Sequence, residues 1–332
     1  MSAHGAKEQE VNELRGLKLR RKEKAMARVL FAKGVKGEII RKVQQRLTDK
    51  GFDTKGVDGD YGNNTRDAII AFQNANGLDK TGEIDVTTYE KLMGTAIPAV
   101  KERSLQLTAA FEGHDFTLAQ GNFDGAGITW GIIGFTLRHG ELKKIILDIN
   151  GRNPELVRQA FKDKTDKLIS VLNSSLSAQI AFADSISLGS KKVKLAEPWR
   201  SAFKRFGEMD EVQALQLELA DRDFFQPALR TARDLDLRTE LGIALAFDIH
   251  VQNGSVKDSA REQIERELEA HPVTKERELR VIIANAVADK SGPKFREDVR
   301  SRKLCIASGV GNVHGGMFVL RNWGLDESTF ES

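Results

Sequence analysis

Two carboxylates twelve residues apart, Glu112 and Asp124, are the side chains of this sequence best placed to move a proton. Glu112 closes an apolar run (Leu105, Leu107, Ala109, Ala110 and Phe111) that reads as a helix over 102–111. A helix C-terminus disfavours negative charge and apolar neighbours disfavour it further, which suits a carboxyl that must keep its proton near neutrality. Taken alone, Glu112 reads more readily as an exposed glutamate at a helix end. Asp124 lies in "GNFDGAGITWGIIGF", where glycines at 121, 125, 127, 131 and 134 allow sharp turns and leave open space beside the acid. Two acids facing each other across a trough are the equipment of glycoside hydrolysis: one protonates the leaving oxygen, and the other activates water or attacks the sugar. Thr129, five residues beyond Asp124, either holds the attacking water through its hydroxyl or is a β-branched choice for a strand. The glycines lack G-x-G-x-x-G spacing, so a phosphate-cradling loop is set aside.

The elements that must position these acids divide the chain into four stretches. Residues 1–36 form a basic leader, with ten Lys or Arg against four Glu, an excess of six where the whole chain carries +3. Leu14, Leu17, Leu19, Met26, Val29 and Leu30 fall on or near one face of a helix there, and a solvated leader is the alternative. Residues 37–94 read as three short helices. Ile39, Ile40, Val43 and Leu47 mark the first, Ala68, Ile69 and Phe72 the second, and Tyr89, Leu92 and Met93 the third. Gly51 and Gly77 stop the first two, and Asp85 or Thr87 starts the third. Residues 95–101, with Pro98, read as a linker, and 102–332 as the larger domain. The Asp124 segment reads as a turn-rich hairpin passing into an apolar strand.

The 37–94 stretch resembles a known family. Leu47, Gly51, "VDGDYG" at 57–62, Thr65, Ala68, "AFQ" at 71–73, "GL" at 77–78, "TGEID" at 81–85 and Leu92 follow the pattern of the three-helix peptidoglycan-binding domain. The resemblance implies a non-catalytic anchor for bacterial murein, with Asp58, Asp60, Tyr61 and Gln73 as its binding rim. Asp58 and Asp60 read equally well as caps of the second helix.

A second resemblance covers 104–254. "FEG", "FDGAGITWGIIGF", "ELADRDFFQPALRTARDLDL" and "LAFDIHVQNG" follow the layout of the family 46 glycoside hydrolases, with weaker echoes in "KFREDVRSRKLCIASG". Those are chitosanases with a two-lobed, mostly helical, lysozyme-like fold. The implied whole is mainly α, with the small three-helix domain followed by a lysozyme-like α+β domain carrying a β-hairpin at its cleft. Position by position, the resemblance places Glu112 on the family's general acid, Asp124 on its general base and Thr129 on the residue that positions water. Glu141 falls on an acidic substrate-binding residue. Asp248 and Arg296 fall in the network around the acid, and with Trp130 they complete the expected substrate-binding set. The sequence departs from the pattern at three points. The acids are closer in sequence, Ala126 replaces an arginine, and Trp130 replaces a small residue, so the substrate is less secure than the chemistry. The family inverts, which implies carboxyls roughly 6.5–9.5 Å apart.

Charge points to the polymer. A cationic leader and an isoelectric point of about 8.8 suit an anionic wall better than polycationic chitosan. With the murein anchor, this favours peptidoglycan strands as substrate and a muramidase of endolysin type. Chitosanase activity with an accessory wall-binding domain, or a non-catalytic wall-binding structural protein, are the alternatives. The leader also suits an anionic membrane or envelope surface, whereas nothing motif-like points to nucleic acid. Six histidines (4, 114, 139, 250, 271 and 314) never pair with an acid at metal-ligand spacing, so no metal or cofactor is expected. His114 and His139 flank the expected cleft and read as surface residues or substrate contacts. The lone cysteine, Cys305, reads as a small core residue. No signal-peptide pattern opens the chain, which suits a monomer held in the cytoplasm until a holin-type or secretion route releases it to the wall.

Overall fold

The computed structural model describes residues 28–113 and 115–331, so the expectations resting on 1–27 and on His114 lie outside it. The described chain is mainly helical, with only short strands. It divides into two compact units: the residues through Gln106 with 238–245 and 263–332, and residues 107–237 with 246–262. This partition differs from the linear expectation of one domain over 102–332.

In the first unit, β1 (Val29–Phe31) pairs antiparallel with β2 (Ile84–Asp85). The end of the expected leader is therefore a buried strand rather than a helix, with Leu30 and Phe31 in the core. Helices α1 (Glu38–Asp49), α2 (Asn63–Ala75) and α3 (Val86–Met93) form the small bundle. Ile40, Val43, Leu47, Ala68, Ile69, Phe72, Tyr89 and Leu92 fill it, while Ile39 and Met93 are only half-buried. Gly51 and Gly77 terminate α1 and α2 for a physical reason. Each has φ near the left-handed region (87° and 67°). The residue after each donates back over the helix end, Phe52 to Leu47 and Leu78 to Gln73, both at 2.9 Å. Asp85 caps α3, accepting from Thr88 N at 2.7 Å.

Residues 95–99 make a loop before α4 (Val100–Glu112), whose Gln106 side-chain Oε1 accepts from Ile39 N at 2.9 Å. The side chains of Arg28 and Arg103 converge on Glu240, and Arg28 also reaches Asp326 at 2.9 Å. This buried cluster explains why the C-terminal stretch belongs with the bundle rather than with the residues just before it in sequence.

The second unit opens with the meander β3 (Ala119–Gln120), β4 (Thr129–Trp130) and β5 (Phe135–Thr136). Helices α5 (Glu141–Arg152), α6 (Pro154–Phe161), α7 (Thr165–Leu172) and α8 (Leu176–Ser185) follow. A hairpin, β6 (Ser187–Leu188) with β7 (Lys194–Leu195), leads to α9 (Trp199–Gly207), α10 (Asp210–Ala220) and α11 (Gln226–Asp234). Its core centres on Trp130, stacked on Phe206 at 5.5 Å and tilted against Phe203, with Phe161 edge-on to Phe203. Helices α12 (Glu240–Asn253) and α13 (Asp258–Ala270) run from one unit's residues into the other's, as α4 does. The first unit closes with α14 (Glu276–Asp289), α15 (Arg296–Ser308) and the hairpin of β8 (Val310–Val313) with β9 (Gly316–Val319). Cys305 is buried in α15.

Candidate active site

Glu112 is the last residue of α4 and is half-buried, and Gly113 at φ 66° turns the chain away. One turn earlier, the Thr108 hydroxyl donates to Asp248 at 3.0 Å. Asp248 is fully buried, so it cannot touch a polymer as a substrate-binding residue; it anchors the helix that carries Glu112.

Asp124 is exposed in the turn between β3 and β4. Its Oδ1 accepts from Ala126 N at 2.9 Å, an Asx turn that fixes the side chain against its own backbone. Gly125 and Gly127 both sit at φ 84°, which a side chain would strain. The loop is held from outside as well. Asn122 Oδ1 accepts from Gly127 N at 2.8 Å, and its amide donates to Asp184 at 2.8 Å. Arg138 donates through Nε and Nη2 to Gly125 O at 2.8 and 2.6 Å. Asp184 in turn takes the Lys192 ammonium at 2.6 Å; that ammonium, and after it the Asn122 amide, hold its carboxyl below the usual range.

Thr129 opens β4, opposite Gln120 on one side and Thr136 on the other. It is 7% exposed, and among the described residues its hydroxyl has no hydrogen-bond partner. A buried hydroxyl left unmatched costs about 1–3 kcal/mol, so the position carries a polar atom that packing alone does not explain.

The remaining expected residues separate clearly. Trp130, at 0% exposure, donates its indole N–H to Phe203 O at 3.1 Å; it is core and binds no substrate. A bulky ring fits there because Phe203 and Phe206 leave it a flat slot, which the sequence pattern of a strand does not reveal. Glu141 is half-buried at the start of α5 and accepts from Thr136 N at 3.2 Å. His139 is exposed, its Nδ1 3.0 Å from the Thr136 hydroxyl. Arg296 belongs to the first unit, half-buried at the start of α15.

In the small bundle, two of the four expected rim residues are interior. Tyr61 is fully buried and donates to Gly82 O at 2.9 Å. Gln73 is fully buried and clamps Glu83 O and Gly82 N. Both hold the turn that leads to β2, so neither meets a ligand. Asp58 is exposed and Asp60 half-buried, paired with Lys36 at 2.6 Å. Neither caps α2, whose N-cap is Gly62 without a side-chain bond.

Reasoning from sequence missed Asn122, Arg138 and Asp184. Asn122 carried a weak signal as a turn former two residues before the acid, whereas Asp184 lies sixty-two residues from its partner.

Comparison with known proteins adds five findings. A model described as a putative peptidoglycan binding domain matches residues 36–92, and one described as glycosyl hydrolase family 46 matches residues 107–278. A chitosanase of Bacillus subtilis (strain 168) is 25% identical over 162 residues, 48% of this chain and 52% of that protein, so the chain spans about half the relative's length. Among solved structures, a GH46 chitosanase of Gynuella sunshinyii in complex with chitotetraose is 18% identical with a TM-score of 0.44, covering 68% of this chain and 98% of that one. A native chitosanase of Bacillus subtilis MY002 is 19% identical with a TM-score of 0.44, covering 66% of this chain and 97% of that one.

Proposed function

The chain belongs to glycosyl hydrolase family 46, and from that premise we propose that it hydrolyses β-1,4 bonds of an amino-sugar polysaccharide, with Glu112 as acid and Asp124 as base. The Glu112 carboxyl gives its proton to the leaving oxygen. The Asp124 carboxylate takes a proton from the water that attacks the opposite face of the sugar. Each acid ends in the other's starting state, and exchange with solvent resets both. The observation that carries this reading is the Asp124 turn: an exposed carboxylate held in place through one oxygen, on the same hairpin as the buried, unpartnered Thr129 hydroxyl. That hydroxyl is suited to holding the water Asp124 activates.

Chitosanase-type cleavage has the support of the named relative. A second reading, the same chemistry on peptidoglycan strands as in an endolysin-type muramidase, is favoured by the wall-binding match at 36–92. Tethering to an insoluble polymer raises effective concentration without a new catalytic contact.

One digest tests the proposal. Parent and Glu112→Gln proteins are incubated with deacetylated chitosan and with purified sacculi, and products are read by reducing-end assay and mass spectrometry. Parent release from chitosan alone selects the first reading, and muramic reducing ends select the second. Undiminished release by folded Glu112→Gln would remove the acid, and anhydro-sugar ends would strip Asp124 of its role.

A further inference from the structure

The hairpin β6–β7 lies against the base loop, and the two are joined by backbone as well as side chains. Gly121 N donates to Val193 O and Asn122 N to Ser187 Oγ, each at 2.9 Å. A Cβ on Gly121 would overlap both Ser187 Oγ and the Lys192 carbonyl, so glycine there permits the approach. Asp184 completes the join, holding Asn122 of the loop and Lys192 of the hairpin at once. The hairpin and the Asp124 loop are therefore joined into one continuous stretch of surface.

The hairpin's outward surface has a definite chemistry. Leu188 and Lys194 are cross-strand partners and so share one face, while Ser187 and Leu195 share the packed one. Leu188 is 51% exposed, Val193 is also exposed, and on the loop itself Phe123, next to Asp124, is 46% exposed. Lys191 and Lys194 are exposed, and among the described residues neither has an ion pair, unlike Lys192. Arg138 adds a further exposed cation at the loop, its guanidinium donating to the Gly125 carbonyl and to no other hydrogen-bond partner among the described residues. Exposed apolar side chains flanked by unpaired cations fit a glycan whose flat CH faces pack on them while its substituents carry negative charge. A polycationic glucosamine chain meets like charge here.

We propose that Phe123 and the Ser187–Leu195 hairpin form a binding face continuous with the Asp124 loop that selects carboxylate-bearing β-1,4 glycan strands over polyglucosamine, with Lys191 and Lys194 as the anion contacts. This rests on the reading of Asp124 as the base and deepens the second, peptidoglycan reading rather than the chitosanase one, because the face matters only if a carboxylate-bearing strand passes there. It bears on which polymer is bound, not on the bond-breaking step.

The test measures binding, so it stands apart from hydrolysis. Full-length Asp124→Asn protein, with and without Lys191→Glu/Lys194→Glu, is titrated with two soluble probes: muramic-acid-containing glycan oligosaccharides and glucosamine oligomers of equal length. The wall-binding module is common to both proteins, so the difference reports on the hairpin. At low salt the double substitution should weaken the carboxylate-bearing probe about five- to tenfold and tighten the glucosamine probe, and both effects should fade at about 0.5 M salt. Lys191→Ser/Lys194→Ser should give an intermediate change. Affinities for both probes within twofold of the parent, or a loss that persists at high salt, overturn the proposal. Binding of neither probe by the parent overturns it as well.

Discussion

The small bundle and the second unit each contain an Asp-Gly turn, and the two turns begin alike. Asp58 Oδ1 accepts from Asp60 N at 2.8 Å, and Asp124 Oδ1 accepts from Ala126 N at 2.9 Å. Gly59 follows at φ 78° and Gly125 at φ 84°. They differ in what arrives from elsewhere. In the bundle the buried Gln44 enters the turn, donating to Asp58 at 2.8 Å and to Asp60 O at 3.0 Å and accepting from Gly59 N at 2.7 Å. Asp58 is thereby part of the scaffold, and its carboxyl is held below the usual range by the Asp60 N–H first and by Gln44 second. In the second unit Asn122 and Arg138 hold the backbone instead. The second oxygen of Asp124 is left without a hydrogen-bond partner among the described residues. The same local motif thus leaves the acid either built into the scaffold or exposed and held through one oxygen, according to which side chain takes over the work of holding the loop.

The largest effect that tests this contrast is on turnover. Asp124→Asn should lower kcat by about 10²–10⁴-fold, as expected for a general base, with little change in thermal midpoint because the amide oxygen can still accept from Ala126 N. Asp58→Asn should do the reverse, keeping kcat on soluble oligosaccharides while lowering the midpoint. Turnover assays paired with calorimetry read both, and exchanged outcomes would break the comparison.

Next in size are the clamps. Asn122→Ala should reduce kcat about 10- to 100-fold with KM little changed, since small displacements of a reacting group cost that much. Gln44→Ala should destabilise the bundle by roughly 1–3 kcal/mol per unmatched buried group, read by calorimetry, with kcat on soluble substrate within about twofold of the parent.

Thr129→Val should lower kcat about tenfold and leave stability equal or raised by up to about 1 kcal/mol, because it removes a buried hydroxyl without a partner. A destabilised valine variant would show that the hydroxyl serves the fold.

The smallest effect is on pH. Asp58 titrates lower in the folded chain than its ordinary value of about 3.9, so its stabilisation is present above that value and is lost as pH falls through the folded one. The midpoint of the parent should drop across that window, and Asp58→Asn should flatten the drop.

Legibility followed the range of the interactions. Helix stops at Gly51 and Gly77 and the cap at Asp85 are set within six residues, and each was readable. Tyr61, Gln73 and Trp130 were misread as binding residues for one reason: a polar or aromatic residue beside a glycine turn looks the same whether it faces solvent or core. Their partners Gly82, Glu83 and Phe203 arrive from nine to seventy-three residues away.

From the order of residues alone came the helical class, the three-helix bundle, the helix that ends at Glu112 and the glycine-rich turn at Asp124, because caps, turns and periodicity are short-range properties of the backbone. Only the tertiary structure decided that the last stretch joins the bundle through Arg28, Arg103, Glu240 and Asp326, and that Asn122 and Asp184 brace the Asp124 turn. Those outcomes depend on which buried charges and amides must find partners, and the partners lie too far along the chain for any local pattern to name them.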